Sequence, residues 1–253
     1  MLSFFDPCNL PKPSKAQKVE HHPALDYRQA PEFMKQLQQI KGNPARCLEF
    51  TILTAVRAEN ALGATWDEFN LDEKLWVIPA QRMKVQQGGR VARDHIVPLT
   101  DACLSLLKQM QNSRVNEWVF SGTSKVKRKG GLSENAMATV LKRMGKADIT
   151  AHGFRSTFSD YIAEQTSHSP EAREICLAHV VKNAAEAAYR RGDMLDKRWA
   201  IMRDWADYLY SSHFKVVYKN QPVASGNFYI AEKFHLDHQP VVSCTLKGLL
   251  PLQ

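Results

Sequence analysis

The sequence lacks most signatures of proteins that handle phosphate or metal. There is no P-loop, no dinucleotide-binding glycine pattern, no H-E-x-x-H, and no carboxylate cluster of the kind that holds magnesium. Any phosphate chemistry here falls to side chains alone, with no cofactor and no metal expected. Cysteine is sparse: Cys8, Cys47, Cys103, Cys176 and Cys244 are scattered, odd in number and free of any C-x-x-C pair. That argues against a disulfide framework or a zinc site and fits a reducing cytoplasm. No apolar run nears the ~20 residues of a membrane span, so no membrane partner is expected. Met1 to Phe5 stops at Asp6-Pro7, without the basic start or the length of a signal peptide. Internal repeats are absent as well.

Positive charge is in excess. Lys and Arg number 34 against 26 Asp and Glu, a formal charge of +8. That balance suits a polyanion such as nucleic acid or an anionic membrane surface, although a basic protein with no such partner would count the same. The 253 residues suffice for one large domain or two small ones.

Pro7, Pro11, Pro13 and Pro23 mark residues 1–25 as an extended linker. Pro31 opens a helix with Phe33, Met34, Leu37 and Ile40 at helical spacing. A second helix, Ala45 to Ala55, leads to Arg57. Trp76-Val77-Ile78 and His95-Ile96-Val97, each followed by proline, predict an antiparallel hairpin whose long tip carries Arg82, Lys84, Arg90 and Arg93. Thr100 is placed to cap a helix through Leu104, Leu107 and Met110. Trp118-Val119-Phe120 reads as a short strand or turn, and Lys125-Val126-Lys127-Arg128-Lys129 as a basic loop. Ser133 is placed to cap a helix bearing Met137, Val140, Leu141 and Met144. Further helices run from His152 to Ala163, from Ser169-Pro170 to Ala178, over 184–191, and from Leu195 to Tyr210. The last carries a stripe of Leu195, Trp199, Met202, Trp205 and Leu209. Beyond Ser211 the character changes, with strand-like Val216–Tyr218 and Phe228–Ile230. The fold class is mainly α with a small antiparallel β-sheet.

His152-Gly153-Phe154-Arg155 is the sharpest local motif. His and Arg at i and i+3 share a helix side, where Arg can fork onto a phosphate and His can donate or shuttle a proton. Alone, H-x-x-R also describes an ordinary solvated helix face. It stands, however, in an ordered set: Thr54-Ala55-Val56-Arg57, Pro79 to Lys84, His95 to Leu99, His152 to Arg155, Leu177-Ala178-His179, Ala188-Tyr189-Arg190-Arg191, and Trp205 to Leu209. In order and spacing this set resembles the catalytic domain of the tyrosine recombinases, most of all the phage and genomic-island integrases, over residues 9 to 210.

The resemblance implies a site-specific recombinase that cleaves and rejoins double-stranded DNA. Arg57 and Arg155 would hold the scissile phosphate, with His152 and His179 assisting at its oxygens. Lys84 would be the acid that protonates the leaving 5′ oxygen. Tyr189 would be the nucleophile, forming a 3′-phosphotyrosyl link. Elementary chemistry suits these residue types. A five-coordinate phosphorus gathers negative charge that guanidinium and imidazole groups can neutralise. A phenol, with a reference pKa near 10, needs a positive pocket to ionise. An alkoxide leaves faster with an acid beside it. Phosphate contacts in DNA would come from Arg82, Arg90, Arg93, Lys125, Lys127 and Arg128.

Each residue also has a plainer reading. Arg57 can be a surface arginine, Lys84 one of several hairpin charges, His179 a core or helix-end histidine, and Tyr189 a packing tyrosine like Tyr161, Tyr208 or Tyr210. Three features depart from the family pattern. Asn60 stands where members carry glutamate, with Glu59 beside it. The catalytic pattern begins without the arm-type and core-binding domains that precede it in this group. Residues 211–253 do not match the family ending; they can be a natural extension, an arm for self-association, or the product of a frame change. A DNA-binding remnant without catalysis is therefore the alternative to an active strand transferase. A third reading, relaxation of supercoils as in the type IB topoisomerases, uses the same chemistry.

Overall fold

Every residue of helix α2 (Asn43–Thr54) from Cys47 onward is buried. A helix buried all round needs neighbours on every side. Helices α1 (Ala30–Gln38), α3 (Ala58–Leu62), α4 (Asp101–Asn112), α5 (Ala136–Arg143), α6 (Phe154–Gln165) and α8 (Leu195–Leu209) supply them, while α7 (Pro170–Cys176) packs on α6 and α8. The structure, a computed structural model, describes residues 23–83, 93–123, 125, 129–179 and 193–211, together with the backbone of β4 (Phe214–Val223) and β5 (Gly226–His235).

The expected hairpin is present. Strands β1 (Phe69–Asn70), β2 (Leu75–Ile78) and β3 (His95–Pro98) form one antiparallel sheet, with Trp76 opposite Val97 and Ile78 opposite His95. Trp76 and Ile78 alternate inward against α2. Phe50 of α2 lies 5.3 Å from the Trp76 ring and 5.6 Å from Phe120. Full burial of a side chain of this size contributes about 1.5–3 kcal/mol.

Polar anchors fix the outer helices. The Trp205 indole donates to the Ile52 carbonyl at 2.9 Å, seating α8 on α2. The buried Glu49 carboxylate takes Arg46 at 2.6 Å, and Gln38 and Tyr210 at 2.9 Å each. The first described segment crosses the start of α6: the Pro23 carbonyl accepts the Thr150 N–H (3.2 Å) and the Leu25 carbonyl accepts the Thr157 hydroxyl (2.6 Å).

Gly153 is required by that crossing. A Cβ there would sit 2.1 Å from the Pro23 oxygen and 2.9 Å from the Ala24 Cα. Both obstacles are backbone, so neither can swing aside. Gly153→Ala is expected to destabilise the domain by about 1–3 kcal/mol and to disturb His152 and Arg155 on either side. A melting curve unchanged from wild type would contradict this.

The structure corrects three local expectations. Ser133 does not cap α5: a turn in which its carbonyl accepts the Ala136 N–H precedes the helix, and Asn135 holds the N-cap position. Thr100 does sit at the α4 N-cap, but its hydroxyl turns to the Cys103 thiol (3.5 Å) rather than to the backbone. The buried face of α8 is Arg198, Ile201, Met202, Trp205, Ala206 and Leu209, with Leu195 and Trp199 only half-buried. Trp118 makes an antiparallel bridge to Thr65. The strand-like parts of the tail lie in β4 and β5, which pair in register from Phe214–His235 to Val223–Gly226.

Candidate active site

Two alanines in the left-handed region shape the site. Ala55 (φ 51°) ends α2, and Ala178 (φ 49°) ends α7. This conformation costs a non-glycine residue about 1–2 kcal/mol, so the surroundings must hold it. At α7 the Ala178 N–H bonds the Ile175 carbonyl and the His179 N–H bonds the Glu174 carbonyl, both at 2.9 Å. That pair of bonds closes the helix end and leaves the carbonyls of Leu177 and Ala178 as acceptors for other groups.

Both predicted arginines dock on these carbonyls. Arg155, in the first turn of α6 and only 5% exposed, donates to Leu177 O at 2.6 Å and to Ala55 O at 2.7 Å. Arg57, the N-cap residue of α3 and half-buried, reaches Ala178 O at 3.5 Å. Cations are favoured at a helix C-terminus, where the backbone dipoles present negative ends. Among the described residues neither guanidinium has a carboxylate within ion-pair distance. Burial and the neighbouring Arg57 charge push the Arg155 pKa down to about 10, and burial lowers that of Arg57. Two cations held by carbonyls and an imidazole, repelling each other and with Glu174 the one carboxylate that acts on Arg155, form a site whose charge an anion would relieve.

His179 completes this group. Its Nε2 lies 2.9 Å from Arg155 and its Nδ1 lies 2.8 Å from a Glu174 oxygen. Arg155 can only donate, so Nε2 accepts and the ring proton sits on Nδ1, donated to Glu174. His152 lies in the turn before α6, not on the helix face. It lines an open cleft with Arg155, Ser156, Leu177 and His179. The structure thus brings Arg57, Arg155, His152 and His179 to one place. Lys84 and Tyr189 lie outside the described residues.

Residues 23–194 match the model of the phage integrase family. The chain belongs to that family. Among phage integrases it is 33% identical over 213 residues to the integrase of Enterobacteria phage P4, covering 79% of this chain and 48% of that protein. It is 33% identical over 203 residues to the prophage integrase IntA of Escherichia coli strain K12, covering 79% and 47%. The chain spans about half the length of these relatives. Among solved structures, the XerA recombinase matches with a TM-score of 0.48 at 15% identity, over 76% of this chain and 66% of that one.

Asn60, at the position where the resemblance leads one to expect glutamate, is buried. Its side-chain amide turns to the Met83 sulfur (3.8 Å), and its carbonyl accepts Arg82 at 2.5 Å. Glu59 is exposed. The Arg82 guanidinium is also paired with the buried Glu68 carboxylate, which in turn accepts the Trp76 indole. Arg82 is therefore engaged inside the domain, bracing the chain just before residue 84. Arg93 and Lys125 are exposed. Arg90, Lys127 and Arg128 lie outside the described residues.

Two site neighbours were not expected from the sequence. Arg198 of α8 is 1% exposed, and His95 of β3 is buried beside Arg198, Arg155 and Arg57. A clue to Arg198 was available: it falls on the apolar stripe of its helix, and a buried cation demands partners. Burial, together with those three cations, pushes the His95 pKa down to about 3. Above pH 6.5 the imidazole is neutral in both folded and unfolded chains. Between pH 6.5 and 3 only the unfolded chain takes up the proton, so stability falls as pH falls through that window, by on the order of a few kcal/mol at most. His95→Gln is expected to flatten the fall in melting temperature between pH 6.5 and 4. An identical slope in the variant would contradict the assignment.

Proposed function

We propose that residues 26–210 are the catalytic domain of a site-specific DNA recombinase that cuts and rejoins double-stranded DNA through a 3′-phosphotyrosyl link at Tyr189. Of residues 1–25 only those ahead of Pro23 serve as a linker, because Pro23 and Leu25 bond to the start of α6 and Leu25 is in the core; residues 211–253 serve as a divergent tail. The observation that carries the reading is the convergence of Arg57 and Arg155 on adjacent carbonyls of one helix end, without a carboxylate counterion among the described residues. The order and spacing of Lys84 and Tyr189 in the sequence support giving them the remaining roles.

In this reading the scissile phosphate takes the place of the missing counterion. Arg57 and Arg155 each donate to its non-bridging oxygens and neutralise the charge that grows at five-coordinate phosphorus. Glu174 orients His179, whose Nε2 accepts from Arg155 and so holds that guanidinium toward the same oxygens, and His152 lines the cleft beside them. The Tyr189 oxygen attacks phosphorus as its proton passes to His152, the P–O5′ bond breaks, and the 5′ oxygen departs with a proton from Lys84. The phosphotyrosyl ester keeps the energy of the broken link, so attack by a 5′ hydroxyl reverses the step without ATP. Arg93 and Lys125, with Arg90, Lys127 and Arg128, grip the duplex backbone. The β4–β5 ribbon has outer edges unpaired among the described residues, which supports a role in self-association. The setting is the bacterial cytoplasm, on nucleoid DNA.

The test uses labelled DNA duplexes, nicked and with the sequence around the nick randomised. Incubation should give a protein–DNA band that survives detergent, because a nick lets the cut fragment diffuse away and traps the ester. Salt-sensitive binding with no detergent-stable band would instead identify a DNA-binding remnant.

A further inference from the structure

Arg198 is a buried guanidinium with three partners that meet at the edge of the site. Its NH1 group donates to an Asp193 carboxylate oxygen at 2.5 Å, its NH2 group donates to the Ile96 carbonyl of β3, and the Cys176 sulfur at the end of α7 accepts from it. The same end of α7 carries Leu177 and Ala178, the docking points of Arg155 and Arg57. Between Asp193 and α8, Met194 is held in the left-handed region (φ 51°). Such a backbone persists in a bulky residue only where its surroundings over-determine it. The chain is thus turned sharply at Met194 and bolted on both sides.

Asp193 lies four residues beyond Tyr189, whereas His179 lies ten before it. An extended chain spans at most about 3.3–3.6 Å per residue, so Asp193 confines residue 189 within about 14 Å and His179 only within about 36 Å. The Asp193 end is the short leash. We propose that Arg198 is a positioning residue for the nucleophile: by holding Asp193 against β3 and α7, it anchors the chain carrying Tyr189 to the wall that holds the phosphate-binding arginines. This rests on the reading of Tyr189 as nucleophile. Loosening the leash would lower the fraction of time the phenol spends in line with phosphorus, without changing how the phosphate is held.

The experiment uses the full chain and the nicked duplex pool, with single-turnover adduct formation measured across DNA concentrations. Asp193 is 40% exposed at its side chain, so Asp193→Ala leaves no core cavity. It should slow adduct formation at saturating DNA by about 10- to 100-fold, with the half-saturating DNA concentration unchanged. Asp193→Glu, which keeps the charge pair, should recover part of the rate. Arg198→Lys keeps the charge but cannot fork to two acceptors, and should slow the step similarly. A role in folding alone would lower the melting temperature and leave the rate of the folded enzyme untouched. Tyr189→Phe runs in parallel. A wild-type rate in Asp193→Ala, with adduct lost in Tyr189→Phe, overturns this inference alone. No adduct in wild type, or adduct surviving Tyr189→Phe, overturns the nucleophile assignment and this inference with it.

Discussion

Tyr189→Phe should abolish the covalent protein–DNA product, by at least about 10³-fold, while leaving folding and non-covalent DNA binding as in wild type. The substitution removes one oxygen and keeps the ring, so packing and charge are preserved. The lost atom is the one that forms the bond to phosphorus. A phenol is a weak nucleophile at neutral pH because so little of it is ionised. Cations favour the phenolate, and Arg57, Arg155 and Arg198 all lie close enough to His95 to lower its pKa. None of the fully described tyrosines is placed to substitute. The Tyr27 hydroxyl donates to Glu164, that of Tyr208 to the Tyr27 carbonyl, and that of Tyr210 to Glu49. Tyr161 stacks on Tyr208 with ring centroids 4.0 Å apart, and burial pushes its pKa up to about 12. Denaturing gels of trapping reactions measure the effect, and a full-strength band from the phenylalanine variant would remove Tyr189 from the mechanism.

Arg155→Met should have the second largest effect, acting on both chemistry and stability. Without the guanidinium, charge at phosphorus loses a fixed donor, an effect of about 10²–10³-fold on cleavage. The same change leaves Ala55 O, Leu177 O and His179 Nε2 without their donor. Buried acceptors stripped of a partner cost about 1–3 kcal/mol each, partly offset because Arg57 is freed of a repelling neighbour. The melting temperature should therefore fall by several degrees. Arg155→Lys should hold the fold better but still cleave slowly, since a single ammonium cannot bridge both carbonyls and still meet a phosphate. Single-turnover cleavage and thermal melts of the two variants give the measurement. Cleavage by Arg155→Met at the wild-type rate would contradict the role.

Much of this is readable from residue order. The α2 helix leading to Arg57, the β2–β3 hairpin ended by prolines, and the Ser169-Pro170 start of α7 follow from periodicity and cap chemistry, and all three are present. The Ser169 hydroxyl accepts the Ala172 N–H as an N-cap should. Ser133 failed as a cap because a backbone turn over the next residues competed with it. The face of α8 was misjudged because apolar spacing alone favoured Leu195 and Trp199, whereas Arg198 turns inward to reach Asp193 and Ile96. The least readable feature is the end of α7. Its acceptors are main-chain carbonyls, present at every residue, and only the left-handed turn at Ala178 aims them at the arginines. Nothing in side-chain identity announces that turn, since glycine is its usual marker. His95 was visible as a strand residue, but its place among three cations depends on how α6, α7 and α8 meet.

The most direct measurement is the identity of the residue joined to DNA. Adduct trapped on the nicked duplexes is digested with nuclease and then with trypsin, and the peptide carrying the residual nucleotide is sequenced by mass spectrometry. The account requires the label on the peptide Asn183–Arg190, whose one tyrosine is residue 189. Label on Tyr27, Tyr161, Tyr208 or Tyr210, or on a serine, would contradict it.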